Sequence, residues 1–234
     1  MVELLYTLFI HSVAMSENVD MNFEIRKPSK QELEDFILKK HYAQRMPSIS
    51  YSFGLYSNDL CLGVCTFGKP ASNSLCKGVC GEEYSSRVFE LNRLITVDDL
   101  EKNVLSWFLS KCLKSLKKDN LIIVSYADDG VGHKGYVYQA TNFIYTGLTK
   151  ERTDKYTPDG KHSRHYSDEF NHLRKFRTSK HRYVFFTGSL RKKLPQILKY
   201  EIQEYPKGDN VPYKLGERAK QKVLNKNTGE ITYE

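Results

Sequence analysis

The segment LIIVSYAD at residues 121–128 opens with four consecutive apolar residues, and this run constrains the fold more than any other feature of the chain. Successive side chains of a strand point to opposite faces. A strand apolar at every position is therefore buried on both faces and calls for a sheet covered on each side. At 234 residues the chain can build one good core, or one core with an appendage.

The other elements follow from period and punctuation. NFEIRK reads as a first strand with Phe23 and Ile25 turned inward. Ser29 caps a helix, Glu32 completes a capping box, and Leu33, Phe36 and Ile37 share a stripe. That helix runs out near His41 and Tyr42, ahead of Met46-Pro47. SISYSFGLYSN and LCLGVCTFG alternate in the manner of a hairpin joined around Ser57-Asn58-Asp59. A polar loop, Lys69 to Ser85, leads to a fourth strand, RVFELNRLIT. Asp98 or Asp99 then caps an amphipathic helix over 99–118, packed by Leu100, Val104, Trp107, Phe108, Leu113 and Leu116. After the buried fifth strand come a short helix, GYVYQATNF, a sixth strand, FIYTGLT, and a seventh, HRYVFFTGS. The expected fold class is α/β (α+β): a mixed, mostly antiparallel central sheet of about seven strands flanked by helices.

Recognisable pattern begins near Phe23, so residues 1–21 are expected to be an N-terminal extension, with Met15 and Met21 as alternative starts. The apolar stretch Leu4–Met15 has no basic flank or clear cleavage site and does not read as a signal peptide. Residues 22–190 form the expected catalytic domain, with a basic insertion at 150–180. Residues 191–234, with Pro206, Gly208, Pro212 and Gly216, read as a partly ordered tail. No apolar run reaches the roughly 18–20 residues that span a bilayer.

The net charge of +8 is local. Residues 1–149 carry 16 Lys/Arg against 17 Asp/Glu, residues 150–199 carry 14 against 5, and residues 200–234 carry 6 against 6. A positive segment on a near-neutral body suits a polyanion-binding surface, or is simply a solvated face. The five cysteines, an odd number in a chain without a secretion signal, point to reduced thiols. Cys61-x3-Cys65 and Cys76-x3-Cys80 match zinc-ligand spacing only loosely. Strand alternation puts Cys61 and Cys65 on one face, as core thiols would sit. No metal is expected.

Several separated blocks carry a resemblance: HYAQRMPSISYSFGLY, VFELNRL, EKNVLSWFLSKCLKSLK, IVSYADDGVGHKGYVYQATNFIYTG and DGKHSRH. Together, over residues 35–190, they resemble the Mom family of phage DNA adenine-modification proteins. The order of elements is similar to the GNAT acyltransferase fold. The resemblance implies an enzyme that adds a carbamoylmethyl, or related acyl-derived, group to the exocyclic amine of adenine in double-stranded DNA. Such a transferase protects a phage genome from restriction in the host cytoplasm. The resemblance places the active-site pattern on His41, Tyr42, Asp128 and Tyr138, and the donor site on Arg93 and Ser106.

Each position also has a plainer reading. Histidine suits proton transfer near neutrality, yet a His-Tyr pair is also ordinary packing. Asp128 closes the fifth strand, where open α/β folds collect ligands, or caps the next helix. Tyr138 shares a helix face with Asn142 and is a proton source for a leaving group, or a packing residue. The turn ITVDDLEKN has no glycine, and its acids are poor phosphate hosts, for which Lys102, Asn103 and Ser106 partly compensate. The acyl donor is accordingly open between acetyl-CoA and a glycine-derived donor such as glycyl-tRNA. His41, His133 and Asp128 supply the ligand types of a facial iron triad, which is not favoured.

Lys161, Arg164, Arg174, Lys175, Arg177, Lys180 and Arg182 are expected to contact DNA phosphates, with Tyr166 or Phe176 stacking on an extruded base. No membrane partner is expected, and monomer and homodimer both remain open. Two other functions stay in play. One is a GNAT-like N-acyltransferase acting on a protein or small-molecule amine, against which the basic segment argues mildly. The other is a non-catalytic DNA-binding phage protein, against which the joint presence of the four site residues argues.

Overall fold

A computed structural model describes residues 23–156, 168–209, 215–217, 220 and 222–233. The extension at 1–21 and the cations Lys161 and Arg164 lie outside these residues, as does Tyr166.

The central sheet runs in the order β1-β2-β3-β4-β5-β9-β6. Its strands are β1 (Glu24–Arg26), β2 (Tyr51–Ser57), β3 (Leu60–Gly68), β4 (Val88–Thr96), β5 (Ile122–Asp128), β6 (Ile144–Leu148) and β9 (Lys180–Phe186). Every neighbouring pair is antiparallel except β4 and β5. This is the mixed, mostly antiparallel sheet of seven strands expected from the sequence.

As expected of its apolar run, β5 is buried on both faces. Ile123 and Ala127 join one core with Phe36, Ile37, Phe108, Leu109 and Leu113. Ile122 and Val124 join a second core with Cys76, Val79, Cys80, Leu190 and Ile197. Helices α1 (Lys30–Glu34) and α3 (Val104–Ser115) cover the first face, and α2 (Asn73–Tyr84) and α5 (Leu194–Ile197) cover the second. All five cysteines are free and buried. Cys61 and Cys65 lie in the first core and Cys76 and Cys80 in the second, so the two spaced pairs do not converge.

Helix α1 starts as its sequence dictates. The Ser29 hydroxyl accepts the Glu32 N–H at 3.2 Å, and the Ser29 N–H donates to the Glu32 carboxylate at 2.6 Å. The helix then widens into a π-helix over Asp35–Lys40.

Four expectations need correction. Residues 69–85 are not all loop, because Ser72 caps α2 through the Leu75 N–H. The helix expected over 99–118 starts later, at Val104. Its cap is Asn103 in the left-handed region at φ 73°, with neither Asp98 nor Asp99 serving. Trp107 is 37% exposed and rests on the rim against Phe23, whereas Phe108 is fully buried. Finally, a second, four-stranded sheet exists, in the order β11-β10-β8-β7. It comprises β7 (Arg152–Lys155), β8 (Leu173–Arg177), β10 (Lys222–Asn225) and β11 (Ile231–Tyr233), so part of the region read as a tail pairs with β8.

Deleting the Phe108 ring removes a buried aromatic from the first core, and Phe108→Ala is expected to cost about 3–5 kcal/mol. Trp107→Ala should cost about 1 kcal/mol, the scale of one aromatic contact. Urea denaturation of both variants checks this, and equal losses would show Trp107 to be a core residue.

Candidate active site

The parallel pairing of β4 with β5 lasts for three residue pairs, ending at Glu90↔Val124, while β4 continues to Thr96 and β5 to Asp128. Beyond Glu90 the strands part. An open cleft of about 1320 Å³ lies there. Its walls include Glu90, Arg93, Tyr126 and Asp128 from the parted strands, and His41, Tyr42 and Arg45 from the end of the π-helix. His133 and Tyr138 come from the segment after β5, and Lys175, Arg177 and Lys180 from β8 and β9. All four expected catalytic residues thus share one cleft, together with Arg93.

The π-helix sets His41. Its N–H closes the last turn on the Phe36 carbonyl at 3.0 Å, five residues back, and the backbone then becomes extended. The imidazole is buried and stacks on Tyr42 at 4.3 Å, and Tyr42 meets the edge of His133 at 6.1 Å. His41 Nδ1 accepts the Ala43 N–H at 3.0 Å, so the neutral ring carries its proton on Nε2. Burial, reinforced by the positive Arg93 and by His133, pushes its pKa down to about 3. His41 is a neutral hydrogen-bonding group at physiological pH.

Asp128 is heavily engaged. Its Oδ1 accepts the Thr178 hydroxyl at 2.5 Å and the Gly130 N–H at 3.1 Å, and its Oδ2 takes Lys180 Nζ. Burial would raise its pKa, but Lys180, Thr178 and the Gly130 N–H together hold it below the ordinary carboxylate value. It caps the 3₁₀ turn Asp129–Val131, so its plainer reading is realised in the structure.

Tyr138, on the short helix α4 (Tyr136–Ala140), packs on Phe143 and Tyr183 at 5.4 and 5.2 Å. Burial raises its pKa against the opposing Ser125 hydrogen bond, so the phenol stays protonated. Gly135 makes this packing possible. It sits at φ +74°, and a Cβ there would lie 2.6 Å from the Tyr183 ring and 3.0 Å from that of Tyr138.

Arg93 donates to the carbonyls of Asn92 and Arg45, both at 2.5 Å. Its Nε is the one buried side-chain nitrogen without a partner among the described residues. The sequence reading missed Glu90. Burial raises its pKa against the pull of Arg93, Lys180 and Arg45. The available signal was a carboxylate inside the apolar word VFEL.

The remaining expected residues divide. Lys102, Asn103 and Ser106 do not line the cleft, and the Ser106 hydroxyl turns back to the Asn103 carbonyl at 2.9 Å. Asp98 accepts a backbone hydrogen bond from Leu215. Burial and Asp99 nevertheless raise its pKa. A turn that carries two acids and is engaged by the chain itself fits the pyrophosphate of coenzyme A poorly. His41, His133 and Asp128 share the cleft, but Asp128 has committed both oxygens. Among the described residues no group of three ligand side chains is placed for a metal ion.

Of the cations, Lys175, Arg177 and Lys180 line the cleft, joined by Lys220, Lys222 and Tyr233, which the sequence reading did not single out. Phe176 also lines it, with Lys222 Nζ 4.7 Å from its ring centroid. Arg174 lies outside the lining. Arg182 requires correction. It donates to Thr146 Oγ1 at 2.9 Å and to the Thr146 carbonyl at 2.8 Å, and stacks 3.4 Å over Tyr200. It is a strand-to-strand clamp: alternation puts it on the same face as Lys180, but its guanidinium is tied to Thr146 on β6 and to the Tyr200 ring and does not line the cleft.

Comparison with known proteins adds the following. The family described as the Mom protein family matches residues 22–207. Methylcarbamoylase mom of Escherichia phage Mu is 32% identical over 115 residues, which are 47% of this chain and 48% of that protein. The match therefore spans about half the length of that relative. Among solved structures, an N-acetyltransferase from Staphylococcus aureus Mu50 aligns with a TM-score of 0.44 at 17% identity, over 70% of this chain and 98% of that one. The ribosomal-protein-S18-alanine N-acetyltransferase from Escherichia coli aligns with a TM-score of 0.43 at 11% identity, over 71% and 94%.

Because folding holds His41 neutral, the unfolded chain binds more protons between pH about 6.5 and about 3. Stability from this group is complete above that window and is lost as the pH falls through it. At pH 5 the loss from His41 should be on the order of 1–2 kcal/mol. Denaturation at pH 7 and pH 5 checks this: His41→Asn should lose less between the two than the parent, and an identical loss would remove His41 from the effect.

Proposed function

The chain belongs to the Mom protein family, and from that premise we propose that it is a phage-type DNA-modifying transferase. In this proposal it adds a carbamoylmethyl, or related acyl-derived, group to the exocyclic amine of adenine. The observation that carries this is the convergence of His41, Tyr42, Arg93, Asp128 and Tyr138 on one cleft whose opposite wall is basic and aromatic. A base must leave the duplex stack before its amine can be reached. Lys175, Arg177, Lys180 and Lys222 then hold phosphates while the base enters. Phe176 offers it a stacking face.

Within the cleft, the Nε2–H of His41 donates a hydrogen bond that orients the base. Asp128 acts as a positioning residue through Lys180 and the 129–131 turn. Tyr138, a protonated phenol at neutral pH, supplies a proton to the departing group. The acidic, glycine-free turn before α3 argues against coenzyme A seated at that helix start. A glycine-derived donor, such as a glycyl-tRNA, accords better with the chemistry of a carbamoylmethyl product. No described helix is long and apolar enough to cross a membrane. Such an enzyme would work in the cytoplasm of an infected bacterium.

Co-expression with a plasmid, followed by nucleoside mass analysis, tests the proposal. A mass increment on deoxyadenosine is the expected result, and unmodified plasmid overturns it. Tyr138→Phe, which removes one hydroxyl, should lower the modification rate by roughly 10²–10⁴-fold while the protein still binds duplex.

Duplex binding has its own test. Neutralising Lys175, Arg177 and Lys180 together should weaken binding to all sequences alike and flatten its salt dependence. Arg182→Ala should lower the melting temperature and leave the salt slope intact. The reverse pattern would move the DNA away from the cleft to the part of the sheet around Arg182.

A further inference from the structure

The cleft's acid–base groups differ in how far the protein has already engaged them. Asp128 has no free oxygen, since Thr178, Gly130 and Lys180 hold both. His41 has given Nδ1 to the Ala43 N–H, which leaves a proton on the nitrogen that remains. Tyr138 is held protonated by burial. Glu90 differs from all three. It stands on β4 at the last pair before β4 and β5 part, and it lines the cleft. No hydrogen bond or ion pair engages its carboxylate among the described residues.

Three residues along the same strand, Arg93 Nε is a buried donor without a partner. An unfilled acceptor and an unfilled donor on one strand edge suit a ligand that offers an N–H beside a lone-pair nitrogen. The amino edge of adenine has that pattern, with its N6 amine next to N1.

We propose that Glu90 is the catalytic proton acceptor of the transfer, a role that rests on the function proposed above. For an acyl-derived product the amine nitrogen bonds to the carbonyl carbon of an activated acyl donor; for a carbamoylmethyl product it bonds instead to a methylene carbon that bears the leaving group. The bond from that carbon to its leaving group breaks, and the electron pair departs with the leaving group. Glu90 takes the proton the nitrogen must shed, and Tyr138 protonates the leaving group. Glu90 then releases its proton to solvent, and Tyr138 regains one.

The surroundings make the Glu90 carboxylate a stronger base than an exposed one. Burial raises the Glu90 carboxyl above its ordinary value, against the pull of Arg93 on its own strand, Lys180 on β9 and Arg45 after the π-helix. Tyr126 on β5 and Tyr138 on α4 also feel its charge, which helps keep both phenols protonated.

The test uses the full chain and Glu90→Gln, each in extracts of plasmid-bearing cells that supply the donor, buffered between about pH 5 and 8. The parent rate should rise with pH as Glu90 loses its proton. Glu90→Gln should keep the parent's melting temperature and duplex affinity, lose roughly 10²–10⁴-fold in rate, and show no rising limb. Should Glu90→Gln fail to fold, Glu90→Asp carries the test, because its shorter carboxylate should displace the limb and lower its plateau. Parent-like rates in folded Glu90→Gln, a rising limb that survives in it, or a limb unchanged in Glu90→Asp each overturn the assignment while leaving the transferase reading intact. A parent protein that leaves adenine unmodified overturns both.

Discussion

Everything functional in this molecule depends on how briefly two strands stay together. A parallel ladder binds its strands through slanted, evenly spaced hydrogen bonds, and here β4 and β5 share only three residue pairs before separating. Each strand stays paired on its other side, β4 with β3 and β5 with β9, so the opening costs the sheet little order. The gap turns strand interior into cleft wall. Glu90 and Arg93 on one side and Tyr126 and Asp128 on the other line that cleft.

The charges around that gap are managed by three different physical means. Asp128 is neutralised by an ion pair and two further hydrogen bonds. His41 is kept neutral by burial near the positive Arg93. The Arg93 guanidinium is held by two backbone carbonyls, with no carboxylate within ion-pair distance among the described residues. Holding a guanidinium on carbonyl oxygens keeps it charged without consuming an acid, and the nearby Glu90 stays available. The basic second sheet adds a wall whose innermost cation, Lys175, has its pKa lowered by burial and by Arg177.

Much of this was legible in the sequence where local chemistry and tertiary structure agree. The Ser29 capping box, the doubly buried β5 and the seven-strand sheet follow from spacing alone, and the words shared with the Mom family led to five of the residues that line the cleft. The remainder is hidden for identifiable reasons. Helix α2 carries two glycines and only a weak apolar stripe, so it reads as loop until Cys76, Val79 and Cys80 find the second core. Strands β7 and β8 are short and charged on both faces, and no alternation marks them. Trp107 and Phe108 are adjacent on one helix, and only the start at Asn103, in a backbone conformation asparagine tolerates, decides which of them turns inward. Arg182 looks like any other cation until its strand partner is known. Glu90 stands out in the sequence only as a carboxylate in an apolar word, and its availability as an acceptor is hidden because that depends on nothing in three dimensions having claimed it.

The π-helix before His41 bears on how such a site can arise. A turn closed over five residues contains one residue more than an α-helical turn of the same length. It is what a single codon insertion into an α-helix produces. Each residue advances an α-helix by about 100°, so the same helix one residue shorter would present the imidazole roughly a quarter-turn away, off the cleft. The buried Phe36 and Ile37 anchor the insertion on its core side. A change of one residue in length, with the core contacts untouched, is therefore enough to convert a structural helix end into one that delivers a histidine to the cleft.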